Sequence, residues 1–446
     1  MHRRSARSSR PLRRAAAAAA GALLAGAGGV LLLALLCGGT AAASDDDTPT
    51  PAERAAVLAL GPWPPAAVRD ARNPASGRPA GIALGEALFH SPRLSPTGLR
   101  CASCHEPWRH FADGRAVAQG VEPGSRNTPS LLGVAWHRRY GWDGARDDLA
   151  AQSLRPLDDA REMPATAAQV AAAVRGDATT SARYAQVFGG APGADDAQVR
   201  RDVGLALAAY VETLATPRTP FDDWRDRLAR PGEAAAAGAF PAAARRGLRL
   251  FVGRAGCAAC HAGPTFSDDA LHVSLVHSMT APGVPDAGHP GGPPNAFRTP
   301  GLRGVAGTGP WLHDGSAARL CDALRPHTAD PGRVPPALGA AERSDLVAFL
   351  RSLSAPQDDA GDAGPGPACD DSPARLQRIE SSPARSVSSI VSSSSGPRPA
   401  SGGARLSRRV SMSGSPSAMR SASRSASSAS WLGMVDSWDS SRDASV

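Results

Sequence analysis

Two short stretches of the chain, Cys101-Ala-Ser-Cys104-His105 and Cys257-Ala-Ala-Cys260-His261, carry cysteines and a histidine at the same C-x-x-C-H spacing. A zinc clamp, a redox dithiol and a haem hook can all begin this way. Each cysteine can add to one vinyl group of haem while the adjacent histidine meets the iron. Five residues thus supply two thioethers and a proximal ligand. A zinc site of this kind needs a second ligand pair nearby, and neither stretch has one. A thioredoxin-like dithiol needs a βαβ context that the chain lacks. The two copies therefore read as hooks for two covalently bound haem c groups.

The elements that must position the hooks are mainly helical. "ATAAQVAAAVRG" and "DAQVRRDVGLALAAYVETLA" repeat their apolar residues at three and four, "AAARRGLRLF" leads as a short helix into Cys257, and "GAAERSDLVAFLRSLS" closes the second unit. "TPRTPFDDWRDRLARPGEA" reads as a Pro-rich crossing segment, and strand signals are poor throughout. The expected fold is all-α: two cytochrome c-like haem domains with long loops, over residues 44–230 and 231–354. Residues 355–446 change to Ser, Arg, Pro and Gly with few large apolar side chains, and are expected to be a disordered tail. Cys321 and Cys369 sit in no motif and read as free thiols or incidental residues, without a disulfide joining core to tail.

The first 43 residues hold six arginines and no acidic residue, which accounts for most of the formal charge of +8. The remaining chain is balanced, so a basic nucleic-acid-binding face is not indicated. A basic start, a long apolar run and an A-x-A site at Ala41–Ala43 read as a secretory signal over residues 1–43, cleaved after Ala43. Export to a bacterial periplasm is the expectation, with membrane attachment only if the signal stays uncleaved.

The hooks come with further blocks: "LGEALFHSPRLS", "FADGR", "RNTPSLLGVAWHRRYGWDGARDDLAAQSLRPLDDAREM" and "FRTPGLRGVAGTGPWLHDGSAARLCDALRPH". In this order and spacing, over about residues 80–354, the chain resembles the bacterial dihaem cytochrome c peroxidase and MauG family. The resemblance implies that the N-terminal haem reacts with hydrogen peroxide and that the C-terminal haem relays electrons. It assigns Trp142 to the place between the haems, and Gln152, Pro156 and Glu162 to the peroxide pocket. Glu162 would move the proton that O–O cleavage requires, and Gln152 would hydrogen-bond the bound oxygen or a water. The loop after the first hook, "DGRAVAQGVEPGSRN", lacks the histidine with which many members block that iron, and so resembles the MauG arrangement. His110 and His137 match no ligand position and read as surface or packing residues.

Fourteen residues after His313, where the family places the second iron's distal ligand, stands His327, with His272, His277 and Met279 as rivals. Pro326 just before it would disturb a helix there. The resemblance also places a calcium ion at Asn127, Thr308 and Pro310, a side-chain amide and two carbonyls that suit a hard cation. The expected activity is peroxide reduction with electrons from a small periplasmic donor, a cytochrome c or cupredoxin. The alternatives are oxidation of residues in a partner protein, as in MauG, or a dihaem electron carrier without peroxide chemistry. A pure carrier would have no use for Trp142, Gln152 and Glu162.

Overall fold

The computed structural model describes residues 49–230, 240–276, 287–324, 337–355 and Cys369. The expected signal segment, nearly all of the expected tail, and His277, Met279 and His327 lie outside the described residues. Among those described are ten α-helices: α1 (Pro51–Leu58), α2 (Pro79–Phe89), α3 (Leu149–Asp158), α4 (Ala167–Arg175), α5 (Ala178–Phe188), α6 (Asp196–Val211), α7 (Pro220–Ala229), α8 (Ala242–Val252), α9 (Leu320–Ala323) and α10 (Ala340–Arg351). No described helix is long and apolar enough to cross a membrane.

The mostly helical character agrees with the expectation, with two departures. A two-stranded antiparallel sheet pairs β1 (Leu271–Val273) with β2 (Ala296–Arg298), Leu271 opposite Arg298. Three-residue strands are too short for an alternating pattern to be read in sequence. The segment expected to cross between units contains α7. Pro220 sits at its first turn, where the ring fits, and Thr219 with Asp222 forms a capping box.

Apolar side chains collect in two clusters. One gathers Leu84, Leu88 and Phe89 of α2, Val170 and Val174 of α4, and Val203 and Leu207 of α6. The other is aromatic: Phe221, Phe240, Phe251, Phe266 and Phe349, five of the chain's nine phenylalanines, meet there with Val57 of α1. Each cluster contains the same helix crossing. A Cβ on Gly85 of α2 would lie 2.0 Å from the Ala206 carbonyl oxygen of α6, and one on Gly247 of α8 would lie 2.0 Å from that of Asp345 in α10. A mid-helix glycine costs about 1 kcal/mol relative to alanine, so close backbone approach is what both positions gain. In each case the helix that leads into a hook is clamped against a later helix of the same cluster.

Cys321 and Cys369 correct the sequence reading, because they form a disulfide with Cα atoms 5.7 Å apart. Cys369 is buried, and its amide donates to the Ser344 hydroxyl on α10 at 3.0 Å. The bond joins α9 to a point that composition assigned to a disordered tail. Local composition carries no information about a partner 48 positions away.

Candidate functional site: two histidine hooks and the segment between them

Both hooks have the same backbone. A 3-10 turn runs over Cys101–Ser103 and over Cys257–Ala259, and the His105 and His261 amides each donate to the first cysteine's carbonyl at 2.9 Å. His105 Nδ1 lies 2.9 Å from the Phe111 carbonyl and His261 Nδ1 lies 3.1 Å from the Phe266 carbonyl. A carbonyl only accepts, so Nδ1 must carry the proton, and Nε2 is the nitrogen an iron would take. Phe111 and Phe266 both hold left-handed backbone, φ 57° and 56°, which an L-residue adopts only when its surroundings demand it. The repeated strain aims the carbonyl at the ring.

Burial pushes His105 below its ordinary value, favouring the neutral imidazole that ligates iron. Burial also holds the thiols up, Cys101 at about 12 and Cys104 and Cys257 at about 11. Asp113 and then Glu162 add to the effect at Cys104, which puts the Glu162 carboxylate within electrostatic reach of the first hook. The donor set fits haem c at both places.

From Trp142 the chain enters α3, whose N-cap Asp148 accepts from the Ala151 amide at 2.7 Å. Gln152 is half-buried on α3 with its amide beside Gly141. Pro156 lies inside the same helix, and its carbonyl accepts from the Met163 amide at 3.1 Å. Glu162 is one-third exposed and pairs with Arg155 at 3.2 Å. Burial raises its carboxyl, and Arg155 opposes the rise. The loop after the first hook lies flat on this segment. Val121 N donates to Glu162 O at 2.9 Å and Glu122 N to Arg161 O at 3.0 Å. A Cβ on Gly120 would come within 2.5 Å of the Glu162 Cα. The loop without a histidine therefore fixes the backbone that bears the carboxylate.

Trp142 Nε1 donates to the Asn127 carbonyl at 2.9 Å, and its ring meets His313 edge-on with centroids 6.4 Å apart. His313 is buried and stacks on Phe297 at 4.1 Å. Trp142 and His313 are counterparts. Each sits between the arms of a small loop closed by a bridge, Tyr140 with Arg146 and Trp311 with Ala317. Each is followed two residues later by a left-handed glycine, Gly144 and Gly315. The halves hold each other reciprocally: Asn127 N donates to His313 O and Arg298 N donates to Trp142 O, both at 2.8 Å.

The Asn127 amide end lies 2.8 Å from the Arg115 carbonyl and 3.2 Å from that of Pro310. Turning the amide over would bring three oxygens together, a set a hard cation accepts. The Thr308 hydroxyl is engaged within its own turn, donating to Val305 O at 3.2 Å, so only its carbonyl would serve.

Several residues here had escaped the sequence reading. Thr128 donates to Asp113 at 2.9 Å behind the first hook, and Asp268 interacts with Thr299 behind the second. His137, read as a packing residue, is buried and hydrogen-bonded to Asp269 at 2.7 Å. The parallel between "RNTPSLLGVA" and "FRTPGLRGVA" was the signal that could have paired them. His272, a rival ligand, instead pairs with Asp268 at 2.9 Å.

Comparison with known proteins shows the family. The family model described as di-haem cytochrome c peroxidase matches residues 79–229. The methylamine utilization protein MauG of Methylorubrum extorquens is 37% identical over 296 residues, 62% of this chain and 79% of that protein. The cytochrome c551 peroxidase of Nitrosomonas europaea is 30% identical over 284 residues, 62% of this chain and 80% of that one. The crystal structure of the diheme peroxidase BthA from Burkholderia thailandensis superposes with a TM-score of 0.54 at 27% identity, covering 63% of this chain and 87% of that one. With its two hooks, its helical frame and these relatives, the chain belongs to the di-haem cytochrome c peroxidase and MauG family of haem c-dependent oxidoreductases.

Proposed function

We propose that this protein is an exported, periplasmic peroxidase. It reduces hydrogen peroxide at the haem held by Cys101, Cys104 and His105, with electrons relayed through the haem held by Cys257, Cys260 and His261. The observation that carries the reading is the course of one segment. It starts at Trp142, edge-on to His313 of the second half, and ends at Glu162, within electrostatic reach of Cys104.

Haem, when bound, supplies the redox-active iron that accepts peroxide and passes electrons on. The chain's own residues do the rest. His105 and His261 would ligate through Nε2, each held by its Nδ1 proton on a carbonyl. The Glu162 carboxylate takes the proton from the near peroxide oxygen and delivers it to the far one, which leaves as water. The Gln152 amide holds the peroxide or a water in place. Pro156 has no side-chain donor atom and so would offer the first haem no ligand, at the offset from Trp142 that His327 has from His313. On this repeat His327 would be the residue of the second half offered to the second haem. Asn127, Thr308 and Pro310 would hold one calcium ion between the halves.

A second reading is MauG-like oxidation of residues in a partner protein instead of turnover with a small cytochrome c or cupredoxin. The histidine-free loop pinned on Glu162 favours it. The test is electron paramagnetic resonance of the oxidised protein before and after one equivalent of peroxide. One high-spin and one low-spin ferric signal are expected at rest, and both should change on addition. Two signals indifferent to peroxide would replace this reading with the electron carrier.

A further inference from the structure

The reciprocal contact between the halves has two ends, and they are built differently. At one end stands Asn127, with the carbonyls of Arg115 and Pro310 around its amide. At the other stands its counterpart Arg298, which brings its own positive charge. The Arg298 side chain is only 10% exposed, and its Nη1 donates to Asp269 Oδ1 at 3.2 Å and to the Thr299 carbonyl at 3.0 Å, while Nε reaches the Gly141 carbonyl at 3.4 Å. Asp269 Oδ1 also accepts from His137 Nδ1 at 2.7 Å, and Oδ2 from the Arg138 amide at 3.0 Å. Asp269 has left-handed backbone, φ 55°, and sits three residues beyond the carbonyl that holds His261.

We infer that His137, Asp269 and Arg298 form an ionic joint that positions Trp142 relative to the second haem-binding loop. The inference rests on the reading of Trp142 as the residue between the haems. One carboxylate from the second loop holds His137 and Arg138, and the guanidinium paired with it holds Gly141. The backbone of Arg298 holds Trp142 itself at 2.8 Å. The segment 137–142 is thus tied at His137 and Arg138 to the loop that carries His261, and at Gly141 and Trp142 to Arg298 of β2. The low exposure of the Asp269–Arg298 pair that links the two makes the tie stiff. A buried carboxylate and guanidinium that balance one another leave His137 free to stay neutral as a donor. Asp269 and His137 are positioning residues; neither is placed at the peroxide pocket.

The experiment uses the protein loaded with both haems. Peroxide is mixed with it in a stopped-flow spectrometer, and the rate at which an electron leaves the second haem for the first is read from absorbance. Asp269→Asn, which keeps the shape and removes the charge, should slow that transfer about tenfold, within the range of measured pair couplings. Resting resonance spectra of both haems should stay native. Hydrogen–deuterium exchange in residues 137–142 should rise. Trp142→Phe should also slow transfer, and the double variant should be no slower than Trp142→Phe alone. His137→Asn, whose amide nitrogen falls where Nδ1 does, should restore a near-native rate, whereas His137→Leu should not.

Additive losses in the double variant, or an unchanged rate and exchange in Asp269→Asn, would overturn the joint. If Trp142→Phe itself transfers at the native rate, the bridging reading of Trp142 fails first, and the joint falls with it. If Asp269→Asn does not fold, the contrast between His137→Asn and His137→Leu decides, and equal rates in those two would overturn the joint.

Discussion

A carboxylate serves as a proton shuttle only if it is deprotonated when peroxide arrives and basic enough to take the proton. Burial raises Glu162 above the ordinary glutamate range while Arg155 keeps it from rising freely. The peroxide reaction should therefore lose rate as pH falls, along a limb centred above the usual glutamate value. Glu162→Gln should lower the rate by about 10²–10⁴ and abolish that limb, with both haem spectra native. A limb that survives in the variant would assign the proton to another group. For stability the sign runs the other way. A carboxyl raised on folding contributes stability at low pH, and that contribution is lost as pH rises through its folded value. The two profiles of Glu162 should slope in opposite directions.

At the scale of elements, two crossings and one covalent tie hold the frame. Gly247→Ala should destabilise the protein by about 1–3 kcal/mol, since the new methyl must push α8 off α10. The gain in helix propensity, about 1 kcal/mol, does not offset this fully. Urea unfolding followed by helical circular dichroism measures it, and an unchanged midpoint would show that the crossing relaxes cheaply. The disulfide closes a loop with a separation of 48 residues. Replacing Cys321 and Cys369 by serine should cost about 2–4 kcal/mol by loop-closure entropy. The loss belongs to the second, aromatic cluster, so thermal unfolding watched at the second haem should shift more than at the first. Equal shifts at both would indicate that the two clusters unfold as one cooperative unit.

Over the whole molecule, the same plan is executed twice and then made unequal. Both hooks should retain their haem when the denatured protein is extracted with acidified organic solvent. Release of either group would refute the thioether assignment at that hook. The inequality lies in the residues downstream of Trp142 and of His313. The first half offers Gln152, Pro156 and a one-third exposed Glu162, whereas in the second half the position at the matching offset is His327. On the proposed function a peroxide site and a relay site share one template, because the side chains differ where the sequence offsets correspond.

The candidate hooks stand out in sequence because their chemistry is local: five consecutive residues would set two bonds and a ligand, whatever the rest of the chain does. Helical periodicity was equally legible in α4 and α10, where burial repeats with the turn of the helix, and in α6, although its second half is buried on every side. Glu162 was visible only by resemblance, since "REM" alone looks like a charged surface turn. Burial raises its carboxyl, and a loop far upstream in the chain is laid against Arg161 and Glu162 by two backbone hydrogen bonds, neither of which is visible in the neighbouring letters. His137 passed for packing because its partner Asp269 lies 132 positions away. Cys321 passed for a spare thiol because its partner lies beyond a change of composition. Sequence by itself determined which atoms could bind haem and which segments would coil. Only the tertiary structure decided which charges face each other, because pairing energies depend on distance and burial across the fold, and neither is a property of neighbouring letters.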